Sequence, residues 1–206
     1  MIGIIDYNAG NITSVGRALK SLNIEYILSK NPADLENCDK VIFPGVGDAA
    51  YAMNELKKSG YDNFLKNWNS ANKYILGICL GSQIIFDWSE EGGTNCLGLV
   101  KGKIRHFYSI DSSLEKTGLK VPHMGWNNLT LKGDCPILKG VPENSDFYFV
   151  HSYAICPDDE NVIKATADYG IKVPAVIQSG NVFACQFHPE KSGEPGLKIL
   201  KNFCEL

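Results

Sequence analysis

Lys73-Tyr74-Ile75-Leu76-Gly77-Ile78-Cys79-Leu80-Gly81-Ser82-Gln83 is the stretch from which the rest of the chain is read. A short apolar run ends in Gly-Ile-Cys-Leu-Gly, and a helical pattern over Ser82 to Trp88 begins at once. G-x-C-x-G between a buried strand and a helix is the thiol version of the G-x-S-x-G elbow, a sharp turn that lifts a nucleophile out of the backbone. Such a turn forces the nucleophile towards positive φ, and the flanking glycines let the strand run into the helix without side-chain clash. At a helix N-terminus, unpaired N–H groups favour a thiolate, and the N–H of Leu80 is positioned to bond an oxyanion. A lone cysteine is most often a small core residue. Two glycines and a strand-to-helix setting turn the reading towards a nucleophile, which then needs a base.

Outward from the elbow, the N-terminal half alternates strands with helices. Met1 to Ile5 is apolar without a break, as a strand covered on both faces is. Asp6 to Asn11 is rich in turn formers, and Ile12, Val15, Leu19 and Leu22 recur at helical spacing. Glu25 to Leu28 predicts a second strand and Pro32 to Glu36 a short helix. Lys40-Val41-Ile42-Phe43 predicts a third strand, stopping at Pro44-Gly45-Val46-Gly47. Asp48 is a helix N-cap for a segment to about Lys58, and Asp62 to Ala71 predicts another helix. This alternation implies a parallel sheet with helices on both faces, whose reactive groups gather at the carboxyl ends of the strands. Asp6-Tyr7, Pro44 to Gly47 and Cys79 all lie at such ends.

From Leu97 to about Ala184 the texture changes to short strand-like pieces between turns, and helical periodicity returns only at Pro195 to Phe203. The expectation is an α/β fold: a central, mostly parallel sheet flanked by helices, with an antiparallel extension in the C-terminal half. No linker divides it, so residues 1–206 are read as one domain. A net charge of −3 argues against nucleic-acid binding driven by net charge. No apolar run is long enough to span a bilayer, and the opening residues lack a basic region and cleavage site. A cytoplasmic protein with no membrane partner is therefore expected. Seven cysteines without a C-x-x-C pair predict reduced thiols rather than a disulfide framework or a zinc site.

The base comes from the far end of the chain. His188 closes the apolar strand Val182 to Phe187 and is followed by Pro189 and Glu190. Proline stiffens that segment, so the carboxylate can turn back and orient the imidazole, completing nucleophile, base and orienting acid. Of the other histidines, His106 reads as structural, and His123 and His151 as binding or structural. Pro44-Gly45-Val46-Gly47 suits an oxyanion strand, since two glycines allow a peptide N–H to point inward or to flip there. By spacing alone it is a plain strand-to-helix turn, and the residues of a phosphate cradle do not follow it.

These residues together resemble the class I glutamine amidotransferases. Gly77 to Gln83 looks like their nucleophile elbow, and Phe187-His188-Pro189-Glu190 like their His-Pro-Glu signature. Asp6-Tyr7-x-x-Gly10-Asn11, Pro44 to Gly47, Pro122-His123-Met124-Gly125-Trp126-Asn127 and Gln186 to Ser192 are similar to one branch of the family. That branch passes ammonia to a separate (β/α)8-barrel cyclase, which makes imidazole glycerol phosphate and aminoimidazole carboxamide ribotide in histidine biosynthesis. Ser82 stands where Met is common and Asn8 where Gly is common. The resemblance covers essentially the whole chain. It implies a Cys79–His188–Glu190 triad, an oxyanion hole from the Val46 and Leu80 N–H groups, and glutamine held by Gly45, Gly47, Gln83, Ser152 and Tyr153. It implies a cyclase-facing surface at Asn11, His123 and Trp126, and neither cofactor nor metal. Three other readings stay open: a paralogue feeding an amidino-sugar pathway, a docking subunit that has lost catalysis, and a stand-alone cysteine hydrolase.

Overall fold

A computed structural model describes residues 1–206. Strands β1 (Ile2–Ile5), β2 (Tyr26–Ser29), β3 (Lys40–Gly45) and β4 (Tyr74–Cys79) are parallel and lie in the order β2-β1-β3-β4. The strand Val182–Cys185 pairs parallel to β4. Beyond it Ile171–Ser179, Ile163–Tyr169 and Thr130–Leu131 continue the same eight-stranded sheet in antiparallel pairing. Successive residues of a strand face opposite sides, so an unbroken apolar run must serve two cores. Along β3, Val41 and Phe43 pack with Leu56, Leu65 and Ile75, whereas Ile42 packs on the other face with Leu76, Phe183 and Phe203.

Helices α1 (Ile12–Ser21), α2 (Ala49–Ser59) and α3 (Tyr61–Ser70) cover these faces. Asp48 caps α2 by accepting a bond from the Tyr51 N–H at 2.8 Å. Gly60, at φ 80°, both ends α2 and opens α3. The C-terminal helix Gly193–Cys204 buries Ile199, Leu200 and Phe203.

The helix after the elbow is shorter than its pattern predicts. Helix α4 spans only Leu80–Ile84, and Trp88–Ser89 is already a strand. Tertiary bonds end it: the carbonyls of Ile84, Ile85 and Phe86 accept from Leu97, Leu99 and Gly98 at 2.8–2.9 Å. A helix of five residues carries a small dipole, so its share in stabilising an anion at Cys79 is smaller than the sequence pattern implies. The C-terminal half also holds two short helices, Phe107–Ile110 and Leu114–Thr117, where only strands are expected. Its remaining strands form two small sheets, in one of which Asp146–His151 pairs with His123–Asn128.

Candidate active site

Because β3, β4 and Val182–Cys185 are parallel neighbours, their carboxyl ends open on one edge of the sheet. Cys79 sits there at φ 55° and ψ −113°, outside the regions open to an ordinary L-residue. The glycines around it permit close packing rather than flexibility. A methyl group on Gly81 would run straight into the Phe43 carbonyl oxygen, and one on Gly77 would lie 2.8 Å from that of Gly81. The elbow is wedged against β3, and that wedge holds the strained backbone.

A cleft of about 310 Å³ opens over the elbow, with Cys79 and His188 both in its wall. His188 is 2% exposed. Its backbone N–H donates to the Tyr148 carbonyl at 2.9 Å, and its own carbonyl accepts from the Ser192 hydroxyl at 2.6 Å, so its segment is anchored on both sides. The ring's Nδ1 donates to Glu190 Oε1 at 2.8 Å, leaving Nε2 for the cleft. The same carboxylate oxygen accepts from Asn11 Nδ2 at 3.3 Å. Burial alone would favour a neutral ring, but bonding and charge from Cys79 and Glu190 together outweigh it and push the His188 pKa up to about 10. Cys79 Sγ lies 3.9 Å from the Val150 carbonyl oxygen, too far for a strong bond.

Val46, Gly47, Leu80, Gln83, Ser152 and Tyr153 line the same cleft. Gly45 does not. It lies beneath the floor, tight against Gly81, Leu80 and Tyr7. The Val46 N–H is committed elsewhere, donating to the Ala9 carbonyl at 3.0 Å. Gln83 spends its amide nitrogen on the Tyr153 carbonyl at 2.9 Å and on Gln186 Oε1 at 3.0 Å. Its own carbonyl oxygen is therefore left as the acceptor available to a ligand.

His123 is a correction. It is 2% exposed, stacked between Phe149 and Tyr169, and is no surface residue. Its Nδ1 bonds His151 Nε2 at 3.1 Å, and His151 Nδ1 donates to the Tyr153 carbonyl at 2.8 Å. Burial lowers their pKa values to about 4 and about 3, so both are neutral at pH 7. The exposed apolar residues of this strand are Met124 and Trp126, at 61% and 59%. Asn11 is half-buried, with its amide on Glu190.

One lining residue carries no mark in the sequence. Glu91 reaches the cleft with a carboxylate held by the Ala49 N–H at 2.9 Å. Only the pairing of residues 88–95 beneath the cleft brings it there, and an acidic pair in a loop gives no local signal of that.

The sequence model of the family described as glutamine amidotransferase class-I matches residues 3–206. The chain belongs to the class I glutamine amidotransferases. This amidotransferase is 47% identical over 203 residues to the imidazole glycerol phosphate synthase subunit HisH of Nitratidesulfovibrio vulgaris (strain DSM 19637 / Miyazaki F), covering 98% of this chain and 95% of that protein. It is 46% identical over 207 residues to the HisH subunit of Methanocaldococcus jannaschii, covering 100% of both. Among solved structures, PurLQS of Thermotoga maritima superposes with a TM-score of 0.71 at 19% identity, over 99% of this chain and 97% of that one. At that identity the likeness is one of fold. The mostly parallel sheet with its antiparallel continuation is the amidotransferase fold expected from the sequence.

Proposed function

We infer that this amidotransferase hydrolyses L-glutamine to glutamate and ammonia and supplies the ammonia to a partner cyclase in histidine biosynthesis. One observation carries the reading: a cysteine on a strained elbow shares a cleft with a buried imidazole whose far nitrogen is bound to a carboxylate. His188 takes the Cys79 thiol proton as the sulfur attacks the side-chain amide carbon, then hands it to the leaving nitrogen, so that ammonia departs and a thioester remains. The same imidazole then takes a proton from water, which attacks the thioester and releases glutamate. Glu190 keeps the ring in the tautomer that presents Nε2. Gln83, Gly47, Ser152 and Tyr153 hold the substrate's amino-acid end, and the Glu91 carboxylate matches its ammonium group. Leu80 supplies one N–H of the oxyanion hole. Val46 supplies the other once the Gly45–Val46 peptide turns, so the chain alone rests with an incomplete hole.

The partner is a (β/α)8-barrel cyclase forming a heterodimer with this chain. Trp126 and Met124 form the exposed apolar part of its docking surface, since large exposed apolar side chains mark contacts. Trp126 packs against Tyr148 at 5.9 Å between ring centroids, and Tyr148 lies 6.3 Å from His188, so this face stands two rings from the reacting atoms. Asn11 joins this surface to Glu190. No helix of the chain is long and apolar enough to cross a membrane, and a cytoplasmic setting completes the reading.

The test mixes the chain with the cyclase and follows glutamate release with and without the ribotide ligand. A diazo-ketone analogue of glutamine serves as the probe of Cys79. Glutamate release that rises on mixing, with covalent label on Cys79, is the expected result. An unlabelled thiol would point to a docking subunit without catalysis, and consumption of an amidino-sugar precursor to the paralogous pathway.

A further inference from the structure

Tyr7 stands where β1 ends and the turn towards Asn11 begins, 1% exposed and with its ring 5.3 Å from that of Phe43. Its hydroxyl has no hydrogen-bond partner within the protein. A buried hydroxyl without a bond is costly, so a chain that keeps one behind Gly45, below the cleft, has another use for it. Burial, and after it the charge of Cys79, raises the phenol's pKa, so the group keeps its proton and is a donor. A methyl group on Gly45 would come within 2.8 Å of the hydroxyl oxygen, which places the phenol against the start of the Gly45–Val46 peptide. Only glycine at 45 leaves that approach open.

At rest the Val46 N–H donates to Ala9. In a planar trans peptide the carbonyl points opposite to the N–H. When the peptide turns to aim the Val46 N–H at an oxyanion, the Gly45 carbonyl swings inward. The Val46–Ala9 bond is lost, and a carbonyl oxygen is left in the interior. We propose that Tyr7 is the positioning residue of the oxyanion strand: its hydroxyl, idle at rest, donates to the Gly45 carbonyl oxygen in the turned state and holds the Val46 N–H on the oxyanion. The proposal rests on the glutaminase reading above, and it adds a reason for the turned state to persist once a partner induces it.

Tyr7→Phe removes the hydroxyl and little else. In the complex with cyclase and ribotide, kcat for glutamate release should fall about tenfold, the worth of one net hydrogen bond in the active state. KM for glutamine should not move, because Tyr7 is not among the residues that line the cleft. The melting temperature of the free chain should hold or rise, since no resting bond is lost. A kcat equal to that of wild type would overturn the proposal. So would a loss that appears in KM, or a lower melting temperature, which would reveal a resting role for the hydroxyl. Wild type measured alongside separates the two ideas. If the wild-type complex releases glutamate and the variant matches it, Tyr7 alone is dismissed. If the wild-type complex releases none, the glutaminase reading falls and the proposal with it.

Discussion

The imidazole of His188 is held between opposing forces, and its chemistry depends on which of them wins. Burial strips water from the ring and favours the neutral form; the thiol on one side and the carboxylate on the other favour the cation and prevail. Glu190→Gln keeps the shape and a hydrogen-bond acceptor but removes the charge. The ring's midpoint, followed by NMR, should drop well below the value of about 10. The same change should lower kcat by about 10² to 10⁴, as for other triads deprived of their acid. A ring that still titrates where it did would assign the shift to Cys79 alone. The dyad of His188 and Glu190 is readable in the sequence because Pro189 stiffens two neighbours into one unit. Asn11 on the same carboxylate is not: 179 residues separate the pair, and nothing local marks either for the other.

At the level of elements, the elbow is a contact between two strands as much as a turn. Gly77 and Gly81 are visible in the sequence as turn glycines, but the requirement at 81 comes from β3, whose Phe43 carbonyl would meet a side chain there head-on, and that at 77 from the backbone of Gly81 and Ser82. Gly81→Ala should destabilise the fold by about 3 kcal/mol or more, because backbone on both sides leaves no side chain to yield. Urea denaturation measures this, and a loss below about 1 kcal/mol would show that β3 and β4 can part. Helix α4 shows the reverse limit. Its apolar pattern runs on to Trp88, yet the loop at residues 97–100 takes its last carbonyls and ends it at Ile84. Periodicity records which side chains are buried and says nothing of which backbone groups find tertiary partners.

Across the molecule, the buried histidines make stability depend on pH from two directions. His123 and His151 have folded pKa values of about 4 and about 3, below the ordinary 6.5. Unfolding lets them take up protons, so stability is full above about pH 6.5 and is lost as pH falls towards 4. His188 is raised, so its contribution is complete below about 6.5 and fades as pH climbs through about 10. Urea midpoints followed from the acid side of the His123 pKa to the alkaline side of neutrality should form a dome. The acid limb should be shallower by about one proton in His123→Gln, which cannot titrate. An acid limb unchanged in that variant would mean that carboxylates alone carry it. His123 also shows how a residue in the right segment can be assigned to the wrong surface. Its motif reads as an exposed loop, but pairing of residues 123–128 with 146–151 turns His123 inward and Trp126 outward.

The order of strands and helices in the first ninety residues, the elbow, and the His-Pro-Glu segment are legible in the chain before it folds. Each depends on near neighbours: a run of apolar residues, a glycine pair, a proline. Folding alone settles that Val182–Cys185 lies parallel beside β4 and opens on the same edge, that Glu91 reaches the cleft, that the Val46 N–H rests on Ala9, and that Tyr7 carries an idle hydroxyl beneath it. Those are relations between segments far apart in the chain. Local sequence encodes the propensity of each segment, whereas their meeting is set by how the sheet buries both of its faces at once.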